Sequence, residues 1–301
     1  CACPEGGNIP NENDANITAI LTRLRRIVMI SMDFSSFVPD LCLVLKEKWR
    51  MSVVRIEHVY KDYLLGDQKV QALRDITLSF EPGVFLAIAG PSGSGKTTLL
   101  NLIGCIDEPS QGKIYINDFD VSGQTPNQLA DLRNRTIGFI FQTFNLFPVL
   151  SAAENVEYPL LQRRDVSVAE RQKRVSYFLD IVGLSRFAGH RPNQLSGGQR
   201  QRVAIARALA IKPSIVLADE PTANLDHQTG EEILSLMKQI NRTFNTTFIF
   251  STHDKRVIAK ADRLVRVEDG RISTLGVRSD SRWSLVRQHG DERVTTNDQK
   301  K

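Results

Sequence analysis

Cysteine is scarce, with Cys1, Cys3, Cys42 and Cys105 the only four in 301 residues. Three fall in the first fifty residues and none has the paired spacing of a zinc site. A disulfide framework needs a denser set, so a reducing compartment fits this usage. Cys105 lies in the apolar run Leu99–Ile106, where a buried thiol is expected. Long hydrophobic runs are also lacking. The best candidate, Ile27 to Leu45, is interrupted by Asp33, Pro39 and Asp40. A spanning helix needs about twenty mostly apolar residues, and a central Asp costs roughly 2.5–3.5 kcal/mol on insertion. If the protein works at a membrane, another subunit must do the crossing. A strong charge of one sign is absent too. Of the net +5, the first fifty residues contribute zero and residues 271–301 contribute +3, leaving +2 for the body. That balance argues against nucleic acid as a partner and gives at most a basic, solvated tail. No internal repeat and no sustained heptad register is visible, which excludes a repeat array or a long coiled coil.

What is present is ordinary globular composition, 41% hydrophobic and 24% charged, in a chain long enough for one large domain or two modest ones. Residues 1–50 show no sustained period, and Asn8–Asn16 is polar and Asn-rich. From Met51 the character changes, and Val53–Val59 alternates as a strand does. The expectation is an extension or leader over residues 1–50 with Met51 as a natural start, a main domain over 51–275, and a polar basic tail over 276–301. Phe85–Ala89, Ser214–Ala218 and Thr247–Ser251 are short apolar strands, the type that a parallel sheet covered by helices requires. Between about 144 and 205 the reading is mostly helix, as an insertion between strands. The fold class is therefore α/β.

Gly90-Pro91-Ser92-Gly93-Ser94-Gly95-Lys96-Thr97 follows the first of these strands and opens a helix that continues through Thr98. The spacing is G-x-x-x-x-G-K-[ST] in its confirming context. Glycines let backbone N–H groups face an anion, and the helix N-terminus adds positive potential. Lys96 is suited to β- and γ-phosphate charge, and the Thr97 hydroxyl to Mg²⁺. Asp219 and Glu220 stand just past an apolar strand, where open α/β sheets place ligands. Asp219 is expected to hold the Mg²⁺ through water, and Glu220 to orient or deprotonate the attacking water. Leu195-Ser196-Gly197-Gly198-Gln199 precedes the helical run Arg202–Ala210 and forms a second glycine-rich site at a helix N-terminus.

The Leu-Ser-Gly-Gly-Gln run resembles the signature of ABC-type ATPases. The resemblance extends from about Val53 to Ile272, with the other motifs of that family in order. Tyr63 resembles the aromatic that stacks on adenine, with Tyr60 three residues away as an alternative. Gln142 resembles the switch glutamine, which in the family also reaches the metal. Asn224-Leu225-Asp226 resembles the loop after the catalytic glutamate, and His253 the switch histidine. The resemblance implies a P-loop NTPase with a RecA-like parallel-sheet core, an N-terminal antiparallel β subdomain and an inserted α-helical subdomain. It implies ATP and Mg²⁺ as ligands and a second copy of the chain packed head to tail. Ser196, Gly197, Gly198, Gln199 and Asp226 would then face the nucleotide held by the other copy. It also implies a cytoplasmic location, peripheral on the inner face of the cell membrane, beside an integral-membrane permease.

One cassette with a compact helical block favours transport over the soluble repair and translation members of the family. Gly138–Pro148, Ala153–Glu157 and Leu217–Asp226 resemble the bacterial subfamily of lipoprotein-releasing, macrolide-export and cell-division ATPases, with Ala223 where that subfamily usually has Gly. A regulatory role in a cell-division complex, moving no substrate, stays open beside export or release. Phe144, Leu146 and Phe147 form an apolar cluster that either packs inside the helical block or receives the permease.

Overall fold

A computed structural model describes residues 52–66, 68–279 and 282–287. The leader assigned to residues 1–50, its three cysteines and the end of the basic tail lie outside these residues.

Two sheets organise the described chain. A four-stranded antiparallel sheet has the order β2-β1-β4-β5, from β1 (Val54–Leu65), β2 (Gln68–Phe80), β4 (Gln111–Ile116) and β5 (Phe119–Asp120). The seven-stranded sheet has the order β11-β10-β9-β3-β8-β7-β6. Its members are β3 (Phe85–Ala89), β6 (Ile137–Ile140), β7 (Ile215–Asp219), β8 (Thr247–Thr252), β9 (Arg263–Glu268), β10 (Arg271–Ser279) and β11 (Arg282–Arg287). From β9 through β6 the neighbours are parallel, whereas β9, β10 and β11 are joined antiparallel.

The strands β3, β7 and β8 are buried at nearly every position because both faces are covered. Phe85, Ala87, Phe248 and Phe250 point into one core, with the helical segment above them. Leu86, Ile88, Leu217 and Ile249 point into the other, shared with the antiparallel sheet. The helices are α1 (Lys96–Ile103), α2 (Pro126–Thr136), α3 (Ala152–Leu161), α4 (Val168–Ile181), α5 (Gly197–Ala210), α6 (His227–Phe244) and α7 (Lys255–Lys260). The stretch read as inserted helix holds α3, α4 and most of α5. Among the described residues no helix is long and apolar enough to cross a membrane.

The boundary drawn at residue 275 falls inside β10, and β11 extends the sheet beyond it. The hairpin was concealed by its four arginines, Arg271, Arg278, Arg282 and Arg287, which made the stretch read as a basic tail. Trp283 lies against the core, while Arg282 and Ser284 are exposed or nearly so.

Candidate functional site

Four loops meet at the carboxyl ends of the parallel strands. They carry Gly90 after β3, Gln142 after β6, Glu220 after β7 and His253 after β8. This is the rim at which an open parallel sheet receives a ligand.

The Gly90–Thr97 loop closes tightly on its surroundings. Gly95 caps α1 with φ 103°, and a Cβ there would stand 2.7 Å from the Ala72 carbonyl oxygen. The position thus demands glycine for both conformation and space. Pro91, Ser92, Gly93 and Thr97 are exposed, whereas Ser94 is buried and its carbonyl accepts from Gly270 N–H at 3.1 Å. Lys96 Nζ donates to the carbonyls of Gly90 at 2.9 Å and Pro91 at 2.7 Å. Its ammonium is therefore held at the mouth of the loop.

Thr97 Oγ1 lies 3.5 Å from Asp219 Oδ1 and donates to it. Burial, and after it the neighbouring Glu220 charge, hold the Asp219 carboxyl above its ordinary value. Glu220 adopts φ 43°, a region L-residues avoid, immediately past the strand. Three donors fix its carboxylate. Thr252 Oγ1 donates to Oε2 at 3.1 Å, His253 N–H donates to Oε1 at 3.1 Å, and His253 Nδ1 lies 2.6 Å from Oε1. The His253 ring itself is 76% exposed, free to meet a ligand on its other edge.

Tyr63 stands beside α1. Its hydroxyl donates to Asp107 Oδ2 at 2.7 Å, and Lys61 Nζ donates to Asp107 Oδ1 at 2.6 Å while lying 4.9 Å from the Tyr63 ring centre. Burial and the Asp107 carboxylate raise the Tyr63 phenol, with the Thr98 hydroxyl pulling the other way. Asp107 and Lys61, which anchor Tyr63, are two residues sequence reasoning missed. Nothing in their local pattern advertised them.

Leu195–Gln199 is a helix start. Ser196 Oγ accepts from Gln199 N–H at 3.2 Å, and Gln199 Oε1 accepts from Ser196 N–H at 2.9 Å. This reciprocal pair is a capping box, legible as S-x-x-Q. Gly197 has room for a Cβ, but one on Gly198 would lie 2.5 Å from Thr229 Cγ2. The second glycine therefore lets α5 approach α6 closely, apart from any role toward an anion. Asp226 caps α6, accepting from Thr229 N–H at 3.0 Å, and those Thr229 hydrogen bonds hold its carboxyl low. Among the described residues no hydrogen bond or ion pair joins Ser196–Gln199 to the Gly90–Thr97 loop. Gly198→Ala should lower the urea midpoint, since overpacking costs typically about 1–3 kcal/mol against roughly 1 kcal/mol gained in helix propensity. In a Thr229→Ser background, which removes the opposing methyl, the same change should become stabilising. Equal effects in both backgrounds would refute the contact.

Gln142 is exposed, and its carbonyl accepts from Asn224 Nδ2 at 2.9 Å. Of the apolar trio that follows, Phe144 is buried, Leu146 packs partly against the core, and Phe147 faces outward at 39% exposure. Its ring meets Tyr158 at 4.4 Å, with Val149 and Leu161 also exposed nearby on the same segment and on α3.

A phosphate loop, an acidic pair past the next strand but one and a second glycine-rich helix start define a nucleotide-binding cassette of the P-loop class. Comparison with known proteins narrows this class. Residues 73–223 match the family described as ABC transporter. An uncharacterized ABC transporter ATP-binding protein of Methanocaldococcus jannaschii, MJ0796, is 46% identical over 73% of this chain and 95% of its own length. A solved structure of that cassette, dimeric in a post-hydrolysis state bound to ADP and Pi, superposes with TM-score 0.70 over 75% of this chain and 99% of its own. The lipoprotein-releasing system ATP-binding protein LolD 1 of Rhodopseudomonas palustris is 45% identical over 73% of this chain and 98% of its own. The macrolide export protein MacB of Rhodopirellula baltica is 46% identical over 73% of this chain, which spans only 32% of that longer protein. The chain belongs to the ABC transporter family, as an ATP-binding cassette ATPase.

Proposed function

We propose that this chain is the ATP-hydrolysing subunit that drives a separate membrane permease in export or lipoprotein release. The observation that carries this reading is the fixed Glu220 carboxylate beside Asp219 and the Thr97–Lys96 end of the phosphate loop. The exposed patch around Phe147, at the other end of the Gln142 loop, supplies a surface for the permease.

In this reading the amides of Gly93–Thr97 and the Lys96 ammonium hold the β- and γ-phosphates. Tyr63, braced by Asp107, stacks on the adenine. Glu220 accepts the proton of the attacking water while Thr252 and the His253 amide keep its oxygens in place. His253 meets the γ-phosphate. Ser196, Gly197, Gly198, Gln199 and Asp226 face the nucleotide of a second copy, so that two chains enclose two ATP molecules.

The residues fit Mg²⁺. Thr97 Oγ1 and Asp219 Oδ1 converge, Gln142 is exposed at the end of the strand beside β7, and a dication would relieve the Asp219–Glu220 repulsion. Among the described residues no group of three or more acidic, His or Cys side chains surrounds a point. That suits a metal shared with substrate phosphates rather than a protein cage. When bound, Mg²⁺ neutralises charge on the phosphates.

Phe147 tests the permease side. Phe147→Ser should leave ATP affinity within about twofold, because surface substitutions away from a site are usually small. It should cut recovery of the chain with a co-expressed permease of the lipoprotein-release or macrolide-export type. Undiminished co-purification would refute the docking role.

A further inference from the structure

The segment from Gln142 to Asn145 is held by side chains from two other parts of the chain. Asn224 takes the Gln142 carbonyl. Arg207, in the last turn of α5, donates Nη2 to the Phe144 carbonyl at 2.9 Å and Nη1 to that of Asn145. Phe144 and Asn145 are both L-residues at positive φ, 62° and 47°. Two successive residues in that region persist only where the surroundings hold them. Local hydrogen bonds contribute, from Phe144 N–H to the Phe141 carbonyl and from Asn145 N–H to the Thr143 carbonyl. Arg200 lies over the Phe144 ring, 5.2 Å from its centre. Arg207 secures the carbonyls of these two residues.

Arg207 has no carboxylate partner among the described residues. Its guanidinium touches backbone carbonyls only, and burial depresses its pKa. A partly buried cation without a counter-charge is costly, and a lysine could not span two carbonyls as the planar fork does. Charge balance therefore does not account for the residue, but placement of the turn does. Arg207 also stands ten residues beyond Gly197 on the same helix, about 15 Å along a rigid rod that starts at Ser196.

We propose that Arg207 is a positioning residue that locks the turn after Gln142 to α5, setting where Gln142 stands relative to the phosphate site and tying it to the helix that presents Leu195–Gln199. The inference rests on the reading of Gln142 as a group that acts on the bound nucleotide and its metal.

The test is a double-mutant cycle on the full chain, with kcat and KM for MgATP measured for wild type, Gln142→Ala, Arg207→Met, Arg207→Lys and both double variants. Arg207→Met should lower kcat about tenfold, the size of a typical coupling between neighbouring groups, with KM within twofold. Arg207→Lys should recover part of that loss. In the Gln142→Ala background either Arg207 change should add little, because the group being positioned is already gone. Unchanged kcat in Arg207→Met, or losses that multiply in the double variants, would overturn the proposal. So would a Gln142→Ala protein with wild-type kcat. If urea titration shows Arg207→Met to be unfolded, the lysine cycle decides by the same criteria. Wild-type protein without any ATPase activity would instead sink the underlying reading of the site.

Discussion

Glu220→Gln should lower kcat by about 10²–10⁴, the usual contribution of a positioned general base. Glutamine keeps one oxygen, which can accept from the His253 N–H, and its amide NH2 can donate to the Thr252 hydroxyl in place of the second oxygen, so the geometry at the end of β7 survives. Only the ability to take a proton is lost. ATP should then bind without being consumed, and the chain should elute as a dimer in Mg²⁺ and ATP and as a monomer without them. Steady-state phosphate release and size-exclusion chromatography read the two effects separately. Wild-type turnover would remove Glu220 from the chemistry. A slow variant that stays monomeric at saturating ATP would argue against the composite site while leaving Glu220 in its role.

Lys96→Met should weaken ATP binding about 10- to 100-fold, because hydrogen bonds from a charged donor contribute roughly 1.5–3 kcal/mol. The fold should tolerate the change. Lys96 Nζ is bound only to the Gly90 and Pro91 carbonyls, and those lie in a loop whose outer residues are exposed. A fluorescent ATP analogue gives the affinity, and a urea midpoint close to wild type shows that folding is not the cause. Unaltered affinity would mean that the loop does not grip the phosphates.

Two parts of the site that were legible in sequence, the phosphate loop and the Ser196 helix start, are closed by hydrogen bonds between near neighbours. The phosphate loop runs straight into α1, and Ser196 caps its own helix through Gln199 three residues on. Such units leave a linear pattern. Asp107 reaches Tyr63 across 44 residues, and Arg207 reaches Phe144 across 63. Those partners are chosen by how the sheets stack and where α5 crosses the Gln142 turn, and no local spacing encodes either. The β10–β11 hairpin was missed for a different reason. Its four arginines, Arg271, Arg278, Arg282 and Arg287, made it read as a solvated tail. The fold class, by contrast, followed from the short, mostly apolar runs of β3, β7 and β8, which suit a sheet covered on both faces.

That double covering bears on how such a protein diversifies. Both faces of the parallel strands β3, β7 and β8 are covered, so near the site recognition falls to strand ends and to helices. Chemistry occupies the strand ends. The helices over residues 152–181 touch the core by one side only and carry Tyr158, Leu161, Val168 and Tyr177 outward. A lineage could rewrite that outer side to suit a new membrane neighbour while leaving the hydrolytic rim unchanged. Under the proposed function, partner choice and catalysis would then be separately inheritable traits of one chain.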